Sequence, residues 1–158
     1  AAVEVHAVAA GLALAVWCDM RVAAATAVFG VFCRRFGGPM PNGCTVRLPR
    51  IVGESRALDM LMTGRPFGAE EALAMGLADR LAPAGEVLVA ARELAHQLAG
   101  FPQLAMLSDR ASTISQWDYR EEASIDREIA GSRPAFQKQF QSGAGRFVAG
   151  AGRHGAFD

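Results

Sequence analysis

The most constraining feature of this chain is a change of hydrophobic period partway along it. Before about residue 32 the apolar residues fall into short β-compatible pieces around one Ala/Leu-rich run, and from Thr45 onward they recur at helical spacing. Residues 1 to 8 alternate loosely, Val3, Val5 and Ala7 against Glu4 and His6, and read as a strand. That strand enters a helix at Ala9-Ala10-Gly11, and the Ala/Leu-rich run from Ala9 to Cys18 has the composition of a buried helix. Arg21 to Ala24 and Ala27 to Val31 are two further β-compatible pieces. The stretch from Phe36 to Cys44, with Gly37, Gly38, Gly43, Pro39 and Pro41, reads as a loop.

The later segments are helical. Arg56 to Met62 stops at Thr63-Gly64-Arg65-Pro66, and Ala69 to Met75 stops at Gly76, each with a glycine just past the last periodic residue. Ala78 to Leu81 reads as a short strand before Pro83. Glu86 to Leu98 places Val87, Leu88, Ala91, Leu94, Ala95 and Leu98 on one face against Arg92, Glu93 and Gln97, the clearest amphipathic helix in the chain. Further helices are predicted from Pro102 to about Ser115, Glu121 to Ile129 and Pro134 to Phe140, with Gly131 and Pro134 as punctuation. The tail repeats Gly143-Ala144-Gly145-Arg146 as Gly150-Ala151-Gly152-Arg153. Such Gly-rich ends are more often tails that order against a partner than phosphate cradles.

Composition narrows the function classes. A chain of 158 residues, 51% apolar and 20% charged, can supply the core of one ordinary domain. Basic and acidic residues both total 16, so no net field draws the chain to nucleic acid or to an anionic membrane. Glu4, His6, Asp19 and Arg21 bracket the most apolar segment below the roughly 20 residues of a spanning helix, and a soluble protein is expected. Cys18, Cys33 and Cys44 fit neither a disulfide framework nor metal-ligand spacing, so no metal site and a reducing, cytoplasmic setting are expected. Lys138 is the only lysine, which leaves one candidate for Schiff-base chemistry. The start Ala-Ala-Val, inside an apolar run, reads as the edge of a cut piece.

Two places stand out as candidates for chemistry. At the turn Val8-Ala9-Ala10-Gly11-Leu12 the opening N–H groups of a helix lack partners and carry the positive end of its dipole, a setting for an enolate or oxyanion. Small residues alone do not separate that role from a tight packing turn. The second is the stretch from Arg34 to Gly53, where Arg34, Arg35, Arg47 and Arg50 have no acidic neighbour. They would either meet phosphate groups or, more commonly, cap helix ends and pair with acids elsewhere. Three weaker signals are bland on balance: Gly53-Glu54-Ser55-Arg56-Ala57 suits a helix start better than a nucleophile elbow, His6 and Cys33 suit core residues better than a thiolate pair, and His96 suits a surface.

Taken together, Ala1-Ala2-Val3, His6-Ala7-Val8-Ala9-Ala10-Gly11-Leu12 and Cys18-Asp19-Met20-Arg21-Val22-Ala23 resemble the signature of the crotonase, or enoyl-CoA hydratase/isomerase, superfamily. The resemblance continues in family order through Phe29-Gly30, Gly37 to Gly43, Thr45-Val46-Arg47-Leu48-Pro49-Arg50-Ile51-Val52-Gly53, Leu61-Met62-Thr63-Gly64-Arg65-Pro66, Ala69-Glu70-Glu71-Ala72 and Met75-Gly76-Leu77-Ala78. It implies an α/β fold, a crotonase-like spiral of ββα turns shortened at its N-terminus and followed by a helical C-terminal trimerisation region. The implied division is residues 1–84 for the spiral, 85–142 for oligomerisation and 143–158 for the Gly-rich tail.

The resemblance also implies an acyl-CoA thioester as substrate, coenzyme A as its only cofactor-like part, a homotrimer or hexamer, and no nucleic-acid or membrane partner. Members hold the thioester carbonyl between two backbone N–H groups and move protons with carboxylates. One of those N–H groups maps to Ala10, and the other belongs to a segment this chain does not contain. The two family glutamates map to Ala13 and Cys33, neither of which can take the carboxylate's part directly. Val8 and Gly11 at the turn, with Cys33, Phe36 and Pro41 on the opposite wall, are the implied substrate-binding residues. Ala10 and Val5, where the family has glycine, crowd the pocket, and Asn42 stands where related members often carry Asp.

Three readings stay open at this point: a hydratase- or isomerase-like lyase/isomerase whose fragment is inactive alone, a noncatalytic acyl-CoA binding or assembly subunit, and a helical interaction module. Losing one oxyanion donor typically costs about 10² to 10³ in rate. The isolated piece is expected to be poorly soluble or to form a non-native oligomer.

Overall fold

The computed structural model describes residues 1–40 and 42–150. Its contacts divide the chain into two compact units, 1–96 and 97–158.

The first unit is built on two small sheets that share the chain alternately. Strand β1 (Ala2–Val3) is followed by β2 (His6–Val8), helix α1 (Ala10–Trp17), β3 (Val22–Ala24) and β4 (Val28–Gly30). β1 pairs in parallel with β3 (Ala2↔Val22, Val3↔Ala23), and β2 pairs in parallel with β4 (His6↔Val28, Val8↔Gly30). Each strand pair therefore stacks on the next as one turn of a spiral. Helices α2 (Cys44–Val52) and α3 (Glu54–Thr63) come next, then β5 (Phe67–Gly68), α4 (Ala69–Ala74), β6 (Arg80–Ala82) and α5 (Val87–Ala99). The sheet orders are β1-β3-β6 and β2-β4-β5, the last pair antiparallel. Phe29 and Phe67, cross-strand partners, are fully enclosed with Leu12, Val16, Leu48, Met60 and Leu77.

Residues 1 to 8 are two strands rather than one. A continuous strand would put Val3, Val5 and Ala7 on one face, yet Val3 and Ala7 are buried while Val5 is 56% exposed. The chain bends at Glu4–Val5 and delivers its halves to different sheets. The strand expected at Ala78–Leu81 begins two residues later, because the Leu77 and Ala78 N–H groups both donate to the Ala72 carbonyl at the end of α4.

Among the described residues of the first unit, one charged side chain is buried. Arg21 is 4% exposed; its Nε donates to the Leu77 carbonyl (2.6 Å) and Nη1 to the Cys18 carbonyl (2.7 Å), while Nη2 lies 3.1 Å from Asp79. The Arg21 backbone N–H donates to the same carboxylate. This side chain joins the exit of α1 to the segment leading into β6, and every buried donor has an acceptor, as a buried cation requires.

The second unit is helical: α6 (Gln103–Ser115), α7 (Glu121–Ala135), a π-helical turn Phe136–Phe140 and α8 (Gln141–Val148). Gly131 and Pro134 do not punctuate it as expected, since α7 runs through both. A Cβ at Gly131 would sit 3.3 Å from Ser108 Oγ, so this glycine serves a close approach of α7 to α6. Pro134 lies in the last turn, where its missing N–H costs one hydrogen bond, and the helix then widens into the π turn. Residues 143–148 are helical rather than a loose tail. The second copy of the Gly-Ala-Gly-Arg repeat, beyond Gly150, lies outside the described residues. Ala135 is the one buried residue among those described in this unit, while Leu107, Ile125, Ile129, Phe136 and Phe140 are roughly half exposed or more.

Candidate functional site

Parallel pairing brings the ends of β2 and β4 out on the same side, the place where open α/β sheets bind ligands. β2 leaves through Ala9, which holds φ 47°, ψ −117°, a conformation that favours glycine. Its N–H donates to the Gly30 carbonyl (3.0 Å), and the first helical bond runs from the Ala13 N–H to the Ala9 carbonyl (3.1 Å). Within the helix, Ala10, Gly11 and Leu12 therefore have no carbonyl four residues back to accept their N–H groups. No side chain among the described residues caps α1, and its first turn carries no acid. Ala10 and Gly11 are exposed, whereas Leu12 is enclosed.

β4 leaves through Gly30 and Val31 into a 3₁₀ turn, Phe32–Phe36, that carries Cys33. Gly30 is required by close approach: a Cβ there would stand 2.4 Å from the Phe32 ring and 3.2 Å from the Arg65 carbonyl. Arg65 is itself held between Asp59 (2.7 Å) and Glu71 (2.6 Å), with its guanidinium 3.6 Å from the centre of the Phe67 ring. Hydrogen bonds from Arg65 hold both carboxyls below their usual range. Cys33 is half-buried, and its Sγ lies 3.5 Å from Met40 Sδ. Cys44, at the start of α2, is fully buried; burial, and secondarily the nearby Cys33, push its thiol up to about 11. Cys44 is thus protonated at neutral pH.

The sequence candidates separate as follows. The strand-to-helix turn places Val8, Ala10 and Gly11 at the mouth of α1, beside the exit of β4 that leads to Cys33. Ala13, on the first turn, is 2% exposed. Phe36 is 88% exposed at the end of the 3₁₀ turn, and Pro41 lies outside the described residues. His6 is exposed rather than a core residue, and its register partner Val28 puts it at the opposite end of the strand pair from Cys33. Ser55 lies in the first turn of α3, and His96 is exposed.

Arg34, Arg35 and Arg47 of the basic stretch take the capping role. Arg34 Nε donates to the Leu61 carbonyl (3.0 Å), Arg35 Nε to Gly64 (2.9 Å) and Arg47 Nε to Val16 (2.8 Å). All three acceptors are at the C-terminal ends of helices, where carbonyls lack partners and the dipole favours cations. Sequence reasoning passed over Trp17, whose indole N–H donates to the Asn42 carbonyl (2.7 Å) under the Arg47 guanidinium (4.4 Å). The available signal was a tryptophan closing an apolar helix shortly before a Pro/Gly-rich loop.

An open cleft of about 560 Å³ lies elsewhere, between α6 and α7. Asp109, Glu121 and Glu128 line it, so it would repel the phosphates of a nucleotide-like ligand. Among the described residues no group of three His, Cys, Asp or Glu is placed to hold a metal ion. No described helix is long and apolar enough to cross a membrane.

The family model for enoyl-CoA hydratase/isomerase matches residues 1–150. A probable enoyl-CoA hydratase of Mycobacterium avium is 34% identical over 156 residues, covering 98% of this chain and 58% of the relative. A peroxisomal fatty acid beta-oxidation multifunctional protein of Arabidopsis thaliana is 38% identical over 100 residues, covering 63% of this chain and 14% of that protein. Among solved structures, an enoyl-CoA hydratase subunit I from Geobacillus kaustophilus superposes with a TM-score of 0.87 at 30% identity, over 94% of this chain and 58% of that one. The chain belongs to the enoyl-CoA hydratase/isomerase family and has the crotonase fold. It spans 14% to 58% of the lengths of these relatives. Enzymes of this family need no cofactor beyond the coenzyme A of the substrate.

Proposed function

We propose that the protein carrying this chain binds an acyl-CoA thioester at the turn between β2 and α1, with the Ala10 N–H as one of two donors to the thioester carbonyl. The observation that carries this reading is the backbone of Ala9. A non-glycine residue at φ 47°, ψ −117° costs about 1–3 kcal/mol. This conformation starts α1 with its opening N–H groups uncapped and exposed beside the exit of β4. Such N–H groups, with the helix dipole behind them, favour negative charge on a carbonyl oxygen as an enolate forms. The second donor would come from a segment that precedes this one in the longer relatives.

In this reading Val8, Gly11 and Cys33 line the substrate, and Phe36 extends the wall. Ala13 and Cys33 stand at the positions of the family's glutamates, so water addition by the usual carboxylate pair is not available to this chain. Any hydratase- or isomerase-like proton transfer depends on a carboxylate contributed from outside it, and the chain by itself is inactive. The half-exposed apolar side chains of the helical unit, Phe136 and Phe140 among them, support assembly into a homotrimer or hexamer through residues 85–142. The same faces favour an acyl-CoA binding or assembly subunit as the second reading. Three free cysteines support a reducing compartment such as the cytoplasm.

The test is calorimetric titration of the intact protein with butyryl-CoA, beside an assay of crotonyl-CoA hydration by loss of enoyl absorbance. Binding with turnover supports the enzymatic reading, and binding without turnover supports the assembly subunit. No binding refutes the acyl-CoA site.

A further inference from the structure

The loop between the 3₁₀ turn and α2, residues 37–43, borders the proposed site through Met40, which is buried and touches Cys33 Sγ at 3.5 Å. Backbone hydrogen bonds hold its two ends: the Gly37 and Gly38 N–H groups donate to the Arg34 and Cys33 carbonyls, and the Gly43 carbonyl accepts from the Val46 and Arg47 N–H groups. Pro39 and Pro41 have no N–H to donate, and Gly37, Asn42 and Gly43 all adopt left-handed conformations, at φ 75°, 64° and 73°. At its C-terminal end the loop meets Trp17. The indole N–H donates to the Asn42 carbonyl (2.7 Å), and Gly43 packs so close that an added Cβ would lie 3.2 Å from the ring.

Trp17 is in turn fixed by Arg47. The guanidinium stacks 4.4 Å from the ring centre while its Nε donates to the Val16 carbonyl (2.8 Å), so one side chain grips both the end of α1 and the ring beside it. A planar guanidinium stacks its face on the ring while its edge donates, a geometry that a compact ammonium matches less well. The ring remains 56% exposed, so it is not a core residue buried for its own apolar surface.

From this arrangement we infer that Trp17 is a positioning residue for acyl-chain recognition: clamped by Arg47, it holds the 37–43 loop and thereby sets how far the Met40 wall stands from the exit of β2. This rests on the acyl-CoA reading above and adds to it the residue that sets chain-length preference. Trp17→Phe keeps a ring for Arg47 to cover and removes only the N–H that Asn42 accepts. Released at that point, the loop yields to a longer chain and fits a short one less closely.

The experiment measures affinities of the intact protein for butyryl-CoA and dodecanoyl-CoA, in the wild type, Trp17→Phe and Arg47→Lys, with thermal unfolding of each. The expected result is a change of about fivefold in the ratio of the two affinities, the factor that one neutral hydrogen bond is worth. It should appear in both variants, with unfolding temperatures close to wild type for Trp17→Phe. Arg47→Lys reads the same clamp from its other side should Trp17→Phe fail to fold. A wild type that binds both ligands, with a ratio unchanged in the variants, overturns the role of Trp17 while leaving the acyl-CoA site standing. A wild type that binds neither ligand overturns both.

Discussion

Replacing Ala9 by glycine tests the turn on which the site depends. At φ 47°, ψ −117° the Ala9 Cβ is strained, and relieving a residue held in such a region is worth about 1–3 kcal/mol. Glycine returns part of this by making the unfolded chain more flexible, about 0.4–1 kcal/mol. The net expectation for Ala9→Gly is stabilisation by about 1 kcal/mol, since the half-buried methyl carries little packing of its own. In a chain of this size that raises the unfolding midpoint by about 2–4 °C. The neighbouring Ala10→Gly makes the same chemical change one residue on, at the first helical position. There the backbone is ordinary helix, so glycine destabilises by up to about 1 kcal/mol. Urea unfolding of the intact protein, read as midpoints at constant m-value, measures both. Opposite signs at adjacent alanines are expected. Ala9→Gly as destabilising as Ala10→Gly would refute the strained turn and with it the argument for a preserved N–H geometry at Ala10.

Three further outcomes follow from the same geometry. Arg21→Ala should cost about 3 kcal/mol or more, because the Leu77 and Cys18 carbonyls and Asp79 lose their shared donor, and Arg21→Lys should recover only part of it; urea midpoints decide. Cys44 holds its proton more tightly folded, to about 11, than unfolded, at 9.0. Its contribution is therefore fully present below pH 9 and lost as pH rises toward 11, a fall of about 2–3 kcal/mol. The Cys44→Ala variant, less stable at neutral pH, should show a flatter fall across that window. Where the intact protein binds acyl-CoA without turnover, Ala13→Glu in a Cys33→Glu background, which restores both family carboxylates, should confer crotonyl-CoA hydration. Ala13 is 2% exposed, so the new carboxyl there titrates above the ordinary glutamate range. Continued silence in a folded, acyl-CoA-binding variant would mean that the missing glutamates are not what limits this site.

How much of this was legible beforehand depends on the scale of the interaction. The strand-to-helix turn at Ala9–Gly11, the later helices and the family resemblance are local patterns of residue type, and the fold agrees with them. The bend at Glu4–Val5 was not legible, because nothing in an alternating octapeptide marks which two residues leave the sheet. Gly131 and Pro134 are ordinary helix stops in isolation; only the approach of Ser108 explains a helical glycine there. His6 reads as core from its neighbours, yet it lies on the outer side of β2. The Arg47–Trp17–Asn42 clamp joins residues up to 30 positions apart along the chain, and no local period carries that information. Arg34 and Arg35 could be weighed as capping residues from the sequence, but their acceptors, Leu61 and Gly64, became known only from the fold.

The most direct measurement is isotope-edited infrared spectroscopy of a ¹³C-labelled butyryl-CoA thioester carbonyl bound to the intact protein, beside an Ala10→Pro variant whose fold is verified by circular dichroism. Proline is tolerated at the first helical position, but its Cδ would press on the Ala9 Cβ at ψ −117°, so the variant is made in an Ala9→Gly background with Ala9→Gly alone as its reference. The account predicts that the carbonyl band moves to lower frequency on binding the wild type, as an oxyanion donor polarises the C=O bond, and that much of this shift disappears in the variant. A thioester that binds with its carbonyl band at the solution frequency, or a full shift retained by Ala10→Pro, would contradict it.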